Sequence, residues 1–464
     1  VEPKLGSTIL KKKMKDLKGI KSVITCDMEG VIETMNEGAE KIFGYHKEEL
    51  IGHKRVSLFS PGEIVLQNVA GWLATAVKEG EYKGKTYFIN KNKERINAKI
   101  RITPTFANGK DQPQTGYCGV TEVIDEEVDV PIKFATKMIK GLAITRMPFT
   151  SASILPILVV GAYCYGTGAP ISWGLFGITI LGILIAHLAM NVFNDYFDYK
   201  DGTDEANSEY FQQVSGGSRA IELGLISLNG TRNLAILLTI MAIGIASFIS
   251  IKANQIPGDN FNGILITGIS GLFLGYFYTA WPLRLVAKRG LGELAIFLAF
   301  GPLLTLGAGF AIFQGDLFST MNSDGYNHFL NLILLGIPLG LLTTNILLIN
   351  EFPDMKSDAK TGKNHLVVTF GKKASRWIYF VILLLAVGSS TYLFLELDKQ
   401  SLSNIYILIP TGFCLLFGLY IFNHILNHYE KRTLASANWK TIGLQAIYSI
   451  MLCATLIFGF SAAA

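Results

Sequence analysis

The feature that most constrains this fold is a series of long apolar segments that recurs from about residue 149 onward. A helix needs roughly 20 predominantly apolar residues to cross the hydrocarbon core of a bilayer. Backbone polar groups cannot be left unpaired there, so helices satisfy them internally. The pattern predicts a multi-pass all-α membrane bundle with nine transmembrane helices, at about 149–168, 170–193, 232–252, 262–280, 291–314, 328–350, 376–396, 403–425 and 441–461.

The residues before this series have an ordinary soluble character. The chain averages 50% hydrophobic and 17% charged residues, and that average combines a charged N-terminal region with the apolar remainder. Short β-prone stretches separated by turn residues predict an α+β domain with an antiparallel sheet. The predicted strands are Ser22–Cys26, Val31–Glu33, Lys85–Ile89, Ile96–Ile102 and Gln114–Val123, with helical patterns at Glu37–Phe43 and Ile64–Lys78. We therefore divide the chain into a lead-in (1–19), a soluble domain (20–128), a linker with a membrane-surface segment (129–148) and the membrane domain (149–464).

The basic residues alternate between the connections of the bundle. Lysines and arginines precede the first span and follow the second, fourth, sixth and eighth, whereas the intervening connections carry Lys252, Lys399 or none. Basic residues concentrate on the cytoplasmic side of membrane proteins. The pattern predicts a protein of the cytoplasmic membrane, with the soluble domain and the even-numbered connections in the cytosol. The mild net charge of +5 gives no reason to propose nucleic acid.

Two acidic motifs lie at the cytosolic ends of even-numbered spans. The first is N-V-F-N-D-Y-F-D-Y-K-D-G-T-D at 191–204, where Asn194 and Asp198 are one helical turn apart. The second, N-E-F-P-D-M-K-S-D, begins at Asn350 and places Asp354 and Asp358 on the same helix face. Their matching positions suggest a weak internal repeat with two half-sites that face one cavity.

Oxygen ligands of this kind suit Mg²⁺ better than a transition metal. Carboxylates at a membrane boundary are costly unless they are paired or coordinate something. The alternative to a metal site is that these aspartates cap helix ends or pair with the cytosolic lysines. The candidate metal ligands are Asn194, Asp198, Asp201, Asp204, Asn350, Asp354 and Asp358, and nearby Lys200, Arg219, Lys363 and Arg284 would complete a diphosphate site.

From about residue 140 to 462 the chain resembles the UbiA superfamily of intramembrane aromatic prenyltransferases. The resemblance is carried by N-D-Y-F-D at 194–198, Y-F-Y-T-A-W-P at 276–282, R-G-L-G-E-L at 289–294, F-G-P at 300–302 and D-A-K-T-G-K-N-H-L-V-V at 358–368. The spacing of the first motif, with Gly202 where many members have Asp, is similar to the branch that prenylates 1,4-dihydroxy-2-naphthoate on the way to menaquinone. The stretch around S-G-G-S-R-A-I and the N-E-F-P-D motif depart from the best-known bacterial members.

The resemblance implies Mg²⁺-dependent transfer of a polyprenyl group from an isoprenyl diphosphate to an aromatic acceptor. It assigns the catalytic metal site to Asn194, Asp198, Asp354 and Asp358. Tyr278 would stabilise an allylic cation or orient the ring, although an interfacial tyrosine is an equal interpretation. His187 would face the cavity, or else bond to a neighbouring helix.

Residues 20–125 resemble a PAS domain, from V-I-T-C-D-M-E-G-V-I at 23–32 to E-E-L-I-G at 48–52. The resemblance indicates a fold and leaves the ligand unknown: haem through His46 or His53, a flavin, a small metabolite or none. A dimerisation module is an equal interpretation to a sensor.

Two other classes of function fit this arrangement of spans and acidic motifs less well. A PAS-regulated transporter would place its ionisable residues near the middle of the bilayer, whereas these acids cluster at helix ends. A membrane receptor would need an output module. Within the enzyme class, other acceptors remain open: 4-hydroxybenzoate, homogentisate, a porphyrin-type ring or a lipid alcohol.

Overall fold

The computed structural model describes residues 17, 19–109, 111–203, 217–253, 255, 260–318, 327–399 and 405–461. Its contacts group the chain into two units. One comprises residues 1–144 with 219–227, and the other comprises 145–218 with 228–464.

The N-terminal unit is built on a five-stranded antiparallel sheet with strand order β2-β1-β5-β4-β3. The two terminal hairpins meet at the centre, where β1 pairs with β5 along its whole length, from Lys21 opposite Glu122 to Asp27 opposite Gly116. Alternate residues of the strands face a core that includes Ile24, Ile32, Phe43 and Phe59. The strands are β1 (Lys21–Asp27), β2 (Ile32–Met35), β3 (Tyr82–Ile89), β4 (Arg95–Thr105) and β5 (Gly116–Val123).

The helices of this unit lie between β2 and β3 and after β5. They are α1 (Glu37–Phe43), α2 (Lys47–Leu50), α3 (Ala70–Glu79) and α4 (Phe134–Ile144). Asn36 caps α1, because its Oδ1 accepts hydrogen bonds from the backbone of Ala39 and of Val23 in β1. This single side chain therefore fixes the start of the helix and its position beside the central strand. The expected antiparallel sheet is confirmed.

The described part of the second unit is mostly helical. Its α-helices are α5 (Ser151–Thr167), α6 (Trp173–Lys200), α7 (Leu228–Ala253), α8 (Asn260–Thr279), α9 (Leu291–Phe300), α10 (Pro302–Ile312), α11 (His328–Lys360), α12 (Leu366–Lys399), α13 (Leu408–His428) and α14 (Ala435–Ser461). A continuous apolar core runs through them and is centred on α11.

The predicted count of nine spans is not confirmed. Among the described residues, eight helical segments are long and apolar enough to cross a membrane, and α5, at 17 residues, is shorter. At 1.5 Å per residue, α5 rises only about 26 Å, below the roughly 30 Å of a typical hydrocarbon core. The fifth predicted span is divided into α9 and α10 at Gly301, whose dihedrals (φ −113°, ψ −111°) are not helical.

Both acidic motifs lie on helices that extend beyond the predicted spans. Helix α6 runs to Lys200 and carries the first motif as far as that residue, while α11 runs to Lys360 through Pro353 and carries the second. Asn194, Asp198 and the second motif are therefore held on helices rather than on loops.

Glycines allow α11 to approach the break between α9 and α10. A Cβ atom at Gly340 would lie 2.5 Å from the carbonyl oxygen of Phe297, and one at Gly336 would lie 2.5 Å from Thr305 Oγ1. Small residues of this kind permit close backbone contact between membrane helices. This approach brings α11 into close contact with α9 and α10 at Gly336 and Gly340.

We predict that Gly340→Ala destabilises the membrane unit. The added methyl group must displace backbone atoms, and overpacking of this kind costs about 1–3 kcal/mol. The measurement is the apparent melting temperature of the protein in detergent. Gly388→Ala is the matched control, because a Cβ there meets nothing within 4 Å and lies in α12. Equal melting temperatures for the two variants would contradict the close approach.

Candidate functional site

A cavity of about 820 Å³ lies within the membrane unit. One part of its wall is apolar and is formed by residues of α6, α7, α8, α9 and α10, such as Ile243, Leu265 and Leu303. Another part is polar and includes the acidic motifs. The predicted site residues that line the cavity are Asn194, Asp198, Tyr278, Asn350, Asp354, Asp358, Lys363 and His187.

Lys363 links the two acidic motifs. Its Nζ atom lies 2.8 Å from Asp198 Oδ1 on α6 and 3.8 Å from Asp358 Oδ1 on α11. The lysine side chain is only 8% exposed, so its interaction with the carboxylates is weakly screened. The ammonium group therefore holds together two carboxylates that are 160 residues apart in the chain.

Two amides of the motifs are held by neighbouring side chains. The Thr279 hydroxyl donates to Asn194 Oδ1 at 2.8 Å, and the Asn438 amide donates to Asn350 Oδ1 at 2.7 Å. Helices α8 and α14 thus position one amide of each motif. Such supporting contacts fix the direction of a metal ligand's oxygen.

A buried histidine, His365, connects Asp358 to a second carboxylate, that of Glu351. His365 lies between α11 and α12, with Nε2 3.1 Å from Asp358 Oδ2 and Nδ1 3.2 Å from Glu351 Oε2. Burial alone would lower the pKa of His365, but its hydrogen bonds to Asp358 and Glu351 outweigh that cost and raise its pKa to about 10. The surroundings of the imidazole are thus strongly negative.

Other predicted residues form pairs outside the cavity wall. The guanidinium of Arg284 lies 3.1 Å from Asp201 Oδ2 and also donates to the Thr361 carbonyl at 3.2 Å. Lys200 is exposed at the end of α6. Of the predicted residues that the structure describes, Arg284, Asp201, Lys200 and Arg219 do not line the cavity. Their assignment to metal or diphosphate stays a prediction.

Arg219 groups with the N-terminal unit, where its guanidinium pairs with Glu222. Asp204 lies outside the described residues.

The two aromatic candidates for the acceptor end differ in their surroundings. Tyr278 is 8% exposed, which favours a residue of the cavity wall over an exposed interfacial tyrosine. The ring nitrogen Nδ1 of His187 lies 2.6 Å from Ser153 Oγ on α5, so the histidine also bonds to a neighbouring helix while it lines the cavity.

Several polar residues of this site were not among the predicted site residues. Glu351 and His365 line the cavity, and Glu293 accepts a hydrogen bond from the Leu366 backbone at 2.7 Å. Asp195 is buried, and its Oδ1 accepts a hydrogen bond from the backbone of Ser218 at 3.2 Å. Each is an ionisable residue within or beside an apolar span, which was itself a signal of function.

The comparisons with known proteins follow the same division of the chain. The sequence profile of the UbiA prenyltransferase family matches residues 153–444, which is more than half of the chain. The chain belongs to the UbiA prenyltransferase family. The predictions of a prenyltransferase and of a membrane bundle of this type are confirmed. A PAS domain profile matches residues 21–122, so the N-terminal unit of this UbiA-family member contains a PAS domain.

Curated relatives of the UbiA-family domain include naphthoate-related enzymes. The chain is 26% identical over 232 residues to a 2-carboxy-1,4-naphthoquinone phytyltransferase of Synechocystis, covering 50% of this chain and 66% of that protein. It is 28% identical over 262 residues to the 1,4-dihydroxy-2-naphthoate octaprenyltransferase of Bacillus subtilis, covering 54% of this chain and 75% of that protein. Among solved structures, a UbiA homolog from Archaeoglobus fulgidus bound to DMAPP and Mg²⁺ is 16% identical, with a TM-score of 0.48, and covers 68% of this chain and 99% of that chain.

Removal of the buried ammonium should destabilise the site. We predict that Lys363→Ala lowers the stability of the membrane unit by about 1–3 kcal/mol, because Asp198 loses the ammonium group that lies 2.8 Å from its Oδ1. The measurement is the apparent melting temperature in detergent without divalent ions. Lys360→Ala, at the exposed end of α11, is the control and should behave like the wild type. A Lys363→Ala protein as stable as this control would contradict the role of the ammonium.

Proposed function

We propose that this protein transfers a polyprenyl group from an isoprenyl diphosphate to 1,4-dihydroxy-2-naphthoate, with Mg²⁺ held between its two acidic motifs. The observation that carries the proposal is the joining of Asp198 and Asp358 by one buried ammonium group at the polar part of an apolar cavity. A cluster of positively and negatively charged side chains beside the apolar wall of the cavity suits a substrate with a diphosphate head and a hydrocarbon tail.

The oxygen atoms of the site fit a magnesium ion. Asn194, Asp198, Asn350, Asp354 and Asp358 all line one cavity, and carboxylate and amide oxygens are the ligands that Mg²⁺ prefers. Mg²⁺ bound there would neutralise charge on the diphosphate as a Lewis acid. The assignment of Mg²⁺ to these residues is also in keeping with the Mg²⁺-bound UbiA homolog of Archaeoglobus fulgidus.

The chain's own residues would bind, orient and protect the substrates. Lys363 would donate hydrogen bonds to the diphosphate, and Thr279 and Asn438 would keep the two amides directed at the metal. The carbon–oxygen bond of the allylic diphosphate breaks and diphosphate leaves with the electron pair. An electron-rich carbon of the acceptor supplies the pair for the new carbon–carbon bond. That carbon then loses a proton, or carbon dioxide where it bears the carboxylate, and the electrons of the broken bond restore the aromatic ring.

The apolar wall has two further roles in this proposal. It excludes water from the allylic cation and accommodates the hydrocarbon tail. Tyr278, buried in the wall of the cavity, would present its ring face to the developing positive charge.

The naphthoate acceptor is supported by the names of two relatives and by the spacing of the first motif. By the positive-inside rule the motifs face the cytosol, where a water-soluble ring acid would enter. A PAS domain on the same side would regulate this transfer.

The proposal predicts Mg²⁺-dependent product from a labelled allylic diphosphate and 1,4-dihydroxy-2-naphthoate. The double variant Asp198→Ala/Asp354→Ala should lose on the order of 10²–10³-fold in kcat/KM, the equivalent of several kcal/mol of charge stabilisation. The measurement is product formation by purified protein in detergent, with 4-hydroxybenzoate, homogentisate and a lipid alcohol as competing acceptors.

Asp316→Ala, at a site remote from the motifs in sequence, controls for loss of a carboxylate. Preference for another acceptor would replace the naphthoate assignment and retain prenyl transfer. Product formation by the double variant at the wild-type rate would overturn the metal site. The same assay with and without residues 1–144, at rising quinone concentration, tests the PAS domain, and an identical response of both proteins would remove the regulatory role.

A further inference from the structure

A second cluster of ionisable side chains lies next to Asp358 and is not used by the proposed mechanism. It consists of Glu293 near the start of α9, Glu351 on α11 and His365 before α12. One ligand atom from each residue lies within 4.8 Å of the others. The three side chains are almost completely buried, with exposed fractions of 4%, 5% and 1%.

The oxygens of the two glutamates are incompletely satisfied. Glu293 Oε2 and Glu351 Oε1 are buried and have no hydrogen-bond partner, and the contact of Glu351 Oε2 is with His365 Nδ1 at 3.2 Å. Buried polar atoms are nearly always paired, and an exception calls for an explanation such as an ion. Glu293 Oε1 is fixed by the Leu366 backbone at 2.7 Å, which leaves Oε2 for another contact.

The histidine has the orientation of a metal ligand supported by a carboxylate. Its Nε2 faces Asp358 Oδ2 at 3.1 Å, and its Nδ1 faces Glu351 Oε2 at 3.2 Å. Histidines that bind metals commonly donate their other ring N–H to a carboxylate, which fixes the tautomer. The distance from Nδ1 to Oε2 is close to the roughly 3.4 Å that separates neighbouring ligands in a tetrahedral site with bonds of about 2.1 Å.

We propose that Glu293, Glu351 and His365 form a second divalent-cation site, separate from the magnesium site and selective for a transition metal such as Zn²⁺ or Mn²⁺. One imidazole with two carboxylates favours such an ion over Mg²⁺, which prefers oxygen ligands alone. The bound ion connects α9, α11 and the start of α12. It also holds Asp358 in place through His365. The proposal does not depend on prenyl transfer.

The test is the number of Zn²⁺ ions bound per chain after chelator treatment and dialysis against known free Zn²⁺, measured by elemental analysis of purified protein. Wild-type protein and Asp198→Asn/Asp354→Asn should both retain an ion at the new site. Glu293→Gln keeps an oxygen for the Leu366 backbone but loses the charge, and should weaken Zn²⁺ binding by at least about tenfold. Glu430→Gln, an exposed carboxylate on the chain, should bind as the wild type does.

A second readout guards against variants that fold poorly. Co²⁺ added to the wild-type protein should give a visible absorption band from nitrogen and oxygen ligands, and His365→Asn should reduce it while Glu430→Gln does not. The proposal is overturned if the wild-type protein binds no Zn²⁺, if Glu293→Gln binds it unchanged, or if the Asp198→Asn/Asp354→Asn protein has lost it. In those cases the protonated side chain of His365, without a metal ion, balances the negative charge of the carboxylates.

Discussion

The ion-pair cluster around Lys363 is the interaction on which the rest of the site depends. Carboxylates beside a bilayer repel each other and lose hydration, so they are stable only with a cation nearby. Lys363 supplies one positive charge between Asp198 and Asp358. The ends of α6 and α11 can therefore face each other across a cavity, and a substrate with its metal enters a site that already tolerates close negative groups.

The helix packing explains why that cluster lies where it does. Helix α11 passes close to the break at Gly301, where a side chain at Gly336 or Gly340 would overlap backbone atoms. The same helix continues through Pro353 to Lys360 without a loop, so the second motif is held on the helix that also contributes to the apolar core. Two supporting helices, α8 and α14, then direct amides of the motifs through Thr279 and Asn438. The site is thus assembled from helices that are distant in sequence.

Sequence patterns were sufficient for the parts that depend on local chemistry. Amides and carboxylates recur at four-residue spacing at the ends of two apolar spans, so Asn194, Asp198, Asp354 and Asp358 could be singled out, and all four line the cavity. The partner of Asp198 could not be predicted, because it depends on the approach of two helices 160 residues apart in the chain. Arg284 illustrates the limit: its charge and position fit a diphosphate ligand, whereas the structure pairs it with Asp201. The division of the fifth span at Gly301 likewise depends on packing against α11.

A structure of the protein with Mg²⁺ and a non-hydrolysable allylic diphosphate analogue would test the central claim most directly. The account predicts the diphosphate within hydrogen-bond distance of Lys363, the ion between the motifs of α6 and α11, and the hydrocarbon chain along the apolar wall. A diphosphate bound away from Lys363, or an ion coordinated by only one of the two motifs, would contradict it.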